Sequence, residues 1–250
     1  MKNIASSGNV IERLKKIMPP GVQPKFTTPQ EWRDWQLEEG RKRADEVSRV
    51  NDQVRAEKIL GRSGIQDLHR KCTFANYDVA CEGQRHALTM AKRYAQNFGE
   101  GFGSFVFSGN PGTGKNHLAA AIGNHLLKTK RTVLIVTIPD LSTLIRATYD
   151  GEGGSESALL RDLSRVDLLV LDDVGVQRAS KNEWVVLNQI IDRRLSSLRP
   201  VGILTNLTHQ ETGEMLGARI MDRLTMDNGI WVNFDWGSYR PKVSHLHVVK

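Results

Sequence analysis

Gly109-Asn110-Pro111-Gly112-Thr113-Gly114-Lys115 spells a GxxxxGK run, set directly after the apolar stretch Phe105-Val106-Phe107 and ahead of a helical stretch, Leu118 to Leu127. Glycines at this spacing let successive backbone N–H groups curl around a phosphate. The following helix N-terminus adds positive potential, and the Lys115 ammonium can reach the outer oxygens of a polyphosphate. Residues 109–117, through Asn116 and His117, are therefore the candidate cradle for ATP. Ser or Thr normally follows such a lysine and gives a hydroxyl to magnesium. Asn116 instead offers an amide oxygen, which can ligate a hard cation but is bulkier. Further on, the apolar run Leu168–Leu171 ends in Asp172-Asp173. A carboxylate at the end of such a strand orients magnesium, the role of Asp172, and Asp173 is then placed to polarise the attacking water. Asp is one methylene shorter than the commoner Glu, about 1.5 Å of reach. A helix cap or a solvated loop is the other reading of two adjacent carboxylates. One strand later, Thr205-Asn206 offers either an amide beside the γ-phosphate or a turn.

These groups have to be carried by a scaffold that brings strand ends together. Thr132–Thr137, Asp167–Leu171 and Val201–Thr205 are short continuous apolar runs, and helical stretches at Leu141–Tyr149, Ser157–Leu163 and Asn182–Ser197 lie between them. Apolar strands alternating with helices predict an α/β fold with a parallel sheet covered on both faces. The segment Asp150-Gly-Glu-Gly-Gly154 reads as a loop.

The first third has a different texture. Val10, Ile11, Leu14, Ile17 and Met18 recur at helical spacing up to Pro19-Pro20-Gly21. Thr28, Pro29 and Glu31 then form the start signal of a second, longer helix reaching about Leu60. Its apolar residues are sparse (Trp32, Trp35, Val47, Val50, Val54), which fits either a hairpin with the first helix or a docking surface. Gly61-Arg-Ser-Gly64 reads as a hinge. The predicted division is a helical region, 1–71, and an α/β domain, 72–250. Of the net +7, the first region holds 15 basic and 10 acidic side chains and the second 20 and 18. The excess basic charge thus marks the helical region, as a partner surface or as a solvated face.

Composition excludes other classes. Two cysteines in 250 residues are too few for a disulfide scaffold, and 39% hydrophobic content is too rich for wholesale disorder. No apolar run approaches the roughly 18 residues of a membrane span, and residues 1–10 lack the apolar block of a secretion signal, so a cytoplasmic setting with no membrane partner is expected. His69, Cys72, Cys81 and His86 are zinc-type ligands, but their spacing is loose, and two free cysteines are the better explanation.

Taken together, Cys72–Tyr77, the 109–122 loop and helix, Leu168–Gln177, Gln189–Arg194, Ile203–Asn206, Leu216–Leu224 and Trp236–Arg240 resemble the AAA+ ATPases. Within them, the sequence is similar to the DnaC-type bacterial and phage helicase loaders, over nearly the whole chain. Asn after the loop lysine is this family's own variant, whereas Asp173 departs from its usual Glu. The resemblance implies that Arg223 is an arginine finger reaching into the nucleotide site of a neighbouring subunit, with Arg219 sharing that work. It implies that Arg240 contacts nucleotide as a second sensor, and that the AAA+ part self-associates. It also implies that the N-terminal region binds a replicative helicase hexamer and that the chain meets single-stranded DNA. Tyr149 could stack on a base there, or simply pack. The expected function is ATP-driven helicase loading during replication initiation. An IstB-type transposition helper and a nucleotide-dependent binding module with negligible hydrolysis are the competing classes.

Overall fold

The computed structural model describes residues 26, 28–60, 65, 69–100, 103–150, 155–175, 181–226 and 228–239. The amphipathic segment at 10–18, the hinge at 61–64 and Arg240 lie outside them. The chain divides into two compact units, Met1–Ser48 and Arg49–Lys250.

Helix α1, Pro29–Leu60, begins where the start signal places it. The Glu31 N–H donates to Thr28 Oγ1 at 3.2 Å, and the Thr28 N–H donates back to Glu31 Oε2 at 3.4 Å, so the capping box closes with Pro29 at the first helical position. In the first unit Phe26 packs on Trp35, ring centroids 5.2 Å apart, while Trp32, Leu37 and Val47 are exposed. From Arg49 onward α1 belongs to the second unit. There Gln53 pairs with the backbone of Val133, accepting from its N–H at 2.9 Å and donating to its carbonyl at 3.3 Å. A side-chain amide thus satisfies a donor and an acceptor on a sheet edge, where they would otherwise be unpaired.

Five parallel strands form the sheet of the second unit: β1 Phe105–Gly109, β2 Val133–Thr137, β3 Leu168–Val174, β4 Val201–Thr205 and β5 Ile230–Phe234, in the order β2-β3-β4-β1-β5. Alternate residues face opposite sides, so each strand feeds two cores. Phe105, Phe107, Leu168, Val170 and Phe234 pack against helices α2, Glu82–Gln96, and α3, Lys115–Lys128. Val106, Leu169, Leu171 and Ile203 pack on the other face. That face is covered by α4, Ile138–Tyr149; α5, Glu156–Arg165; α6, Lys181–Ser196; α7, His209–Leu216; and α8, Ala218–Thr225. The helix–sheet–helix sandwich expected from the alternating pattern is the fold observed. Within it, β1, β3 and β4 lie side by side, which sets their C-terminal ends next to one another, as ligand sites in open α/β sheets require.

Candidate nucleotide site

The turn leaving β1 folds sharply because Gly109 adopts φ +124°, and a Cβ there would stand 2.4 Å from the Phe234 carbonyl oxygen on β5. The Asn110 N–H donates to that same oxygen at 2.8 Å, pinning the start of the loop to the neighbouring strand. Gly114, at φ +96°, caps α3. A Cβ on Gly114 would meet the Tyr77 ring at 2.8 Å. The outer carbonyls of the loop are held by other segments. Thr113 O accepts from Trp236 Nε1 at 3.0 Å and from Tyr77 Oη at 3.4 Å, and Gly112 O accepts from the Tyr239 N–H at 2.8 Å. With the Gly112 and Thr113 carbonyls engaged outward, this part of the loop is preorganised to turn N–H groups toward an anion.

Lys115 is 6% exposed and donates to three acceptors: Gly109 O and Asn110 O, each at 2.7 Å, and Asn206 Oδ1 at 2.8 Å. The sequence-predicted lysine and amide are therefore in direct contact, although 91 residues separate them. Asn206 is aimed by the end of β4. Thr205 Oγ1 donates to the Val174 carbonyl at 2.7 Å and accepts the Leu207 N–H at 3.0 Å, and Ser108 Oγ donates to Leu207 O at 2.5 Å.

At the end of β3 the ladder to β4 slips: Leu171 pairs with Ile203 and Val174 with Thr205, leaving Asp172 and Asp173 opposite a single residue. Such a bulge re-aims side chains that strand alternation would send to opposite faces. Both carboxylates line the same cleft. Asp172 is buried, its Oδ2 accepting from Asn116 Nδ2 at 2.5 Å and its Oδ1 from the Asp173 N–H at 2.8 Å. Burial, and then the Asp173 charge, pushes its carboxyl up to about 6, against the opposing pull of those two hydrogen bonds and of Lys115. Asp173 is exposed and left-handed, φ +59°.

The cleft encloses about 540 Å³ and is lined by Pro111–His117, Asp172, Asp173, Thr205 and Asn206, with Tyr77, Asp78, Gln84 and Tyr239 on its other walls. Its volume is in the range of small-molecule sites. Carboxylate and amide oxygens from β3 and α3 supply the hard donors that magnesium takes.

Residues 44–246 match the family model described as IstB-like ATP binding protein. Over 244 residues, 98% of each chain, the sequence is 48% identical to the replicative helicase loader DnaC of Escherichia coli strain K12. The chain belongs to the DnaC/IstB-like family of AAA+ proteins. The protein YdaV of the same strain is 56% identical over 250 residues, the full length of both chains. Among solved structures, the DnaC helicase loader superposes with a TM-score of 0.61 at 23% identity, covering 68% of this chain and all of that one. AMPPCP-bound DnaA from Aquifex aeolicus gives 0.57 at 24% identity over 68% and 52%; at these identities the likeness speaks for the fold. Membership makes this an ATP-binding, AAA+ ATPase-type chain related to replication proteins. No described helix is long and apolar enough to cross a membrane.

Of the residues that the family resemblance adds, Arg219, Arg223 and Tyr149 are described and lie elsewhere on this fold. Arg219 and Arg223 sit on α8 and do not line their own cleft; both contact Asp192 of α6. Tyr149 ends α4 and is 55% exposed. His117 lines the cleft, its Nε2 3.0 Å from the Thr73 carbonyl and its ring edge-on to Tyr77. Cys72 is buried against Ile65 and Ala120 while Cys81 is exposed, and among the described residues no three His, Cys, Asp or Glu side chains gather to hold a metal. Sequence reasoning missed the walls: Asp78 and Gln84 carry no motif signal, and Tyr239 enters only as part of the family-like stretch Trp236–Arg240, with no role of its own. Tyr239 Oη donates to Asp78 Oδ2 at 2.5 Å, a pairing across 161 residues that only the fold creates.

Proposed function

We propose that this chain is an ATP-hydrolysing helicase loader that binds a replicative DNA helicase hexamer and delivers it onto single-stranded DNA. The observation that carries the reading is the convergence of Lys115, Asn206, Asn116, Asp172 and Asp173 in one cleft. Identity of 48% over 98% of each chain with a protein named as a replicative helicase loader supports the loading role.

In this reading the loop N–H groups and Lys115 bind the β- and γ-phosphates, and Asn206 orients against the γ-phosphate. Asp172 and Asn116 would hold magnesium, which would offset the negative charge of the phosphates. Asp173 accepts a hydrogen bond from a water aligned with the γ-phosphorus. That water forms the new P–O bond as the bond to the β–γ bridging oxygen breaks, giving ADP and inorganic phosphate. Arg223, with Arg219 beside it, acts on the nucleotide of a neighbouring subunit, so the hydrolysing form is an oligomer. Arg240 senses nucleotide within its own subunit. Residues 1–71 form the helicase-contacting region and 72–250 the ATPase domain, with Tyr149 at the single-stranded DNA.

The test mixes full-length protein with a replicative helicase and single-stranded DNA and follows co-purification and ATP turnover. Co-purification is expected, with Lys115→Ala and Asp173→Asn each lowering turnover by about 100-fold or more. Capture of a transposase instead of the helicase would move the chain to the transposition helpers. Unchanged turnover in Lys115→Ala would end the hydrolysis reading.

A further inference from the structure

Arg223 is gripped in an asymmetric way. Its Nη1 donates to Asp192 Oδ1 at 2.7 Å and to Ser196 Oγ at 2.9 Å. Asp192 and Ser196 are four residues apart on α6, hence on one helical face, and together they form a two-point acceptor for a single guanidinium nitrogen. Among the described residues no hydrogen bond engages Nε or Nη2 of Arg223. These two nitrogens form the edge of a guanidinium that presents parallel N–H groups, the arrangement that matches a phosphate bidentately. The grip therefore fixes the group by its far corner and, among the described residues, leaves the phosphate-matching edge without a hydrogen bond.

Arg219 shares the same oxygen more loosely, with Nη2 3.3 Å from Asp192 Oδ1. Its side chain is 72% exposed, against 28% for Arg223. One carboxylate thus lies between two cations that would otherwise repel each other. The helix bearing both is itself fixed, because Ile220, Met221 and Leu224 are buried on its inner side.

We propose that Asp192, assisted by Ser196, is a positioning residue for the arginine finger, holding Arg223 by one terminal nitrogen so that its Nε–Nη2 edge faces the nucleotide of a neighbouring copy of this chain. This rests on the reading of Arg223 as a finger acting in trans. Asp192 touches neither substrate nor metal; it acts only through the arginines it holds.

A positioning role of this kind is directional, and mixing full-length subunits reads the direction. Arg223→Ala subunits keep an intact nucleotide cleft but have no finger. Asp173→Asn subunits keep the finger but have a crippled cleft. Turnover is measured in mixtures of the two, with helicase and single-stranded DNA present and the turnover of each variant alone subtracted. The recovered turnover is the reference. Adding Asp192→Ala to the finger-donating Asp173→Asn subunit should lower it by about 10- to 100-fold, the scale of a misplaced catalytic group. Conversely, Asp192→Ala subunits whose clefts are served by Asp173→Asn fingers should stay within about twofold of the reference. Asp192→Asn retains an accepting oxygen and should lose less than Asp192→Ala as a donor; if Asp192→Ala does not fold, Asp192→Asn and Ser196→Ala carry the same comparison. An undiminished donor, or equal losses as donor and acceptor, overturns the role of Asp192 while leaving the finger standing. Wild-type turnover in Arg223→Ala alone, or no recovery in the reference mixture, removes the finger in trans and Asp192 with it.

Discussion

Asp172 is the residue at which binding chemistry and folding stability pull apart. Its carboxyl titrates near 6 because burial and the neighbouring Asp173 charge disfavour ionisation. Between the ordinary carboxylate value near 4 and about 6, the folded chain holds a proton that the unfolded chain has released. Stability therefore falls as pH rises through that window and stays reduced above it. Asp172→Asn removes the penalty while keeping the shape. The nucleotide-free variant is expected to gain about 2–3 kcal/mol at pH 7.5, on the order of two pK units, with the gain shrinking as pH is lowered from 6 toward 4. Urea unfolding at pH 7.5, 6 and 5 checks this, and a gain of the same size at all three would refute it. Turnover should be lost at the same time, the usual exchange of stability for function. The pair 172–173 was legible in the sequence as two acids ending an apolar strand. The reason for Asp instead of Glu at 173 was not. At φ +59° the position is left-handed, which Asp tolerates better than most side chains, and that conformation comes from a bulge against β4.

Among the elements, α6 links β3 to the helix that bears Arg223 through a residue with no solvent contact. Arg194 is fully buried, and Nη1 donates to the carbonyls of Leu163 and Val166 while Nη2 donates to those of Asp167 and Pro200. The C-terminal turn of α5, the lead into β3 and the lead into β4 are thereby tied to the helix that carries Asp192 and Ser196. Arg194→Met fills the space but removes a donor from each of four carbonyls, of which Val166 O keeps Arg199 Nη1 at 3.3 Å, and is expected to cost about 3–5 kcal/mol. Arg194→Lys, with three donors on one nitrogen, should fall between; thermal or urea melts measure both, and a loss below about 1 kcal/mol in Arg194→Met would show that the carbonyls find other donors. In the sequence, Arg194 was one half of an Arg-Arg pair on a helix, with nothing to mark it as interior. Elements bordered by clear apolar runs (β1 to β4, α3 to α6) were legible from period alone. Strand β5 was not, because Ile-Trp-Val-Asn-Phe mixes buried and half-exposed positions on an outer strand. Helix α2 was missed for a related reason: its buried positions are mostly alanines, which add little apolar contrast.

At the scale of the whole molecule, charge is divided by the depth at which it works. Residues 1–71 carry 15 basic and 10 acidic side chains, residues 72–250 carry 20 and 18, and the family resemblance assigns the more basic region to a protein partner. On α1, Arg41 and Arg43 are exposed, as is most of the helix around them. The ammonium that serves the nucleotide cleft is 6% exposed and fixed by three acceptors. Mobile ions screen exposed charges over about 8–10 Å at physiological ionic strength but reach buried ones far less. Two affinities of the same chain should therefore respond differently to salt. Helicase binding by the full-length protein is expected to weaken several-fold between 0.05 and 0.5 M salt, whereas ATP affinity should move less over the same range. Replacing Arg41 and Arg43 together with Glu should weaken helicase binding by about 3- to 10-fold at low salt and flatten its salt dependence, leaving ATP affinity unchanged. Titrations of both ligands against wild type and the double variant decide the matter. If helicase affinity is indifferent to salt and to both substitutions, the basic excess is a solvated face, and the partner is held by apolar residues such as Trp32 and Leu37, which α1 leaves exposed.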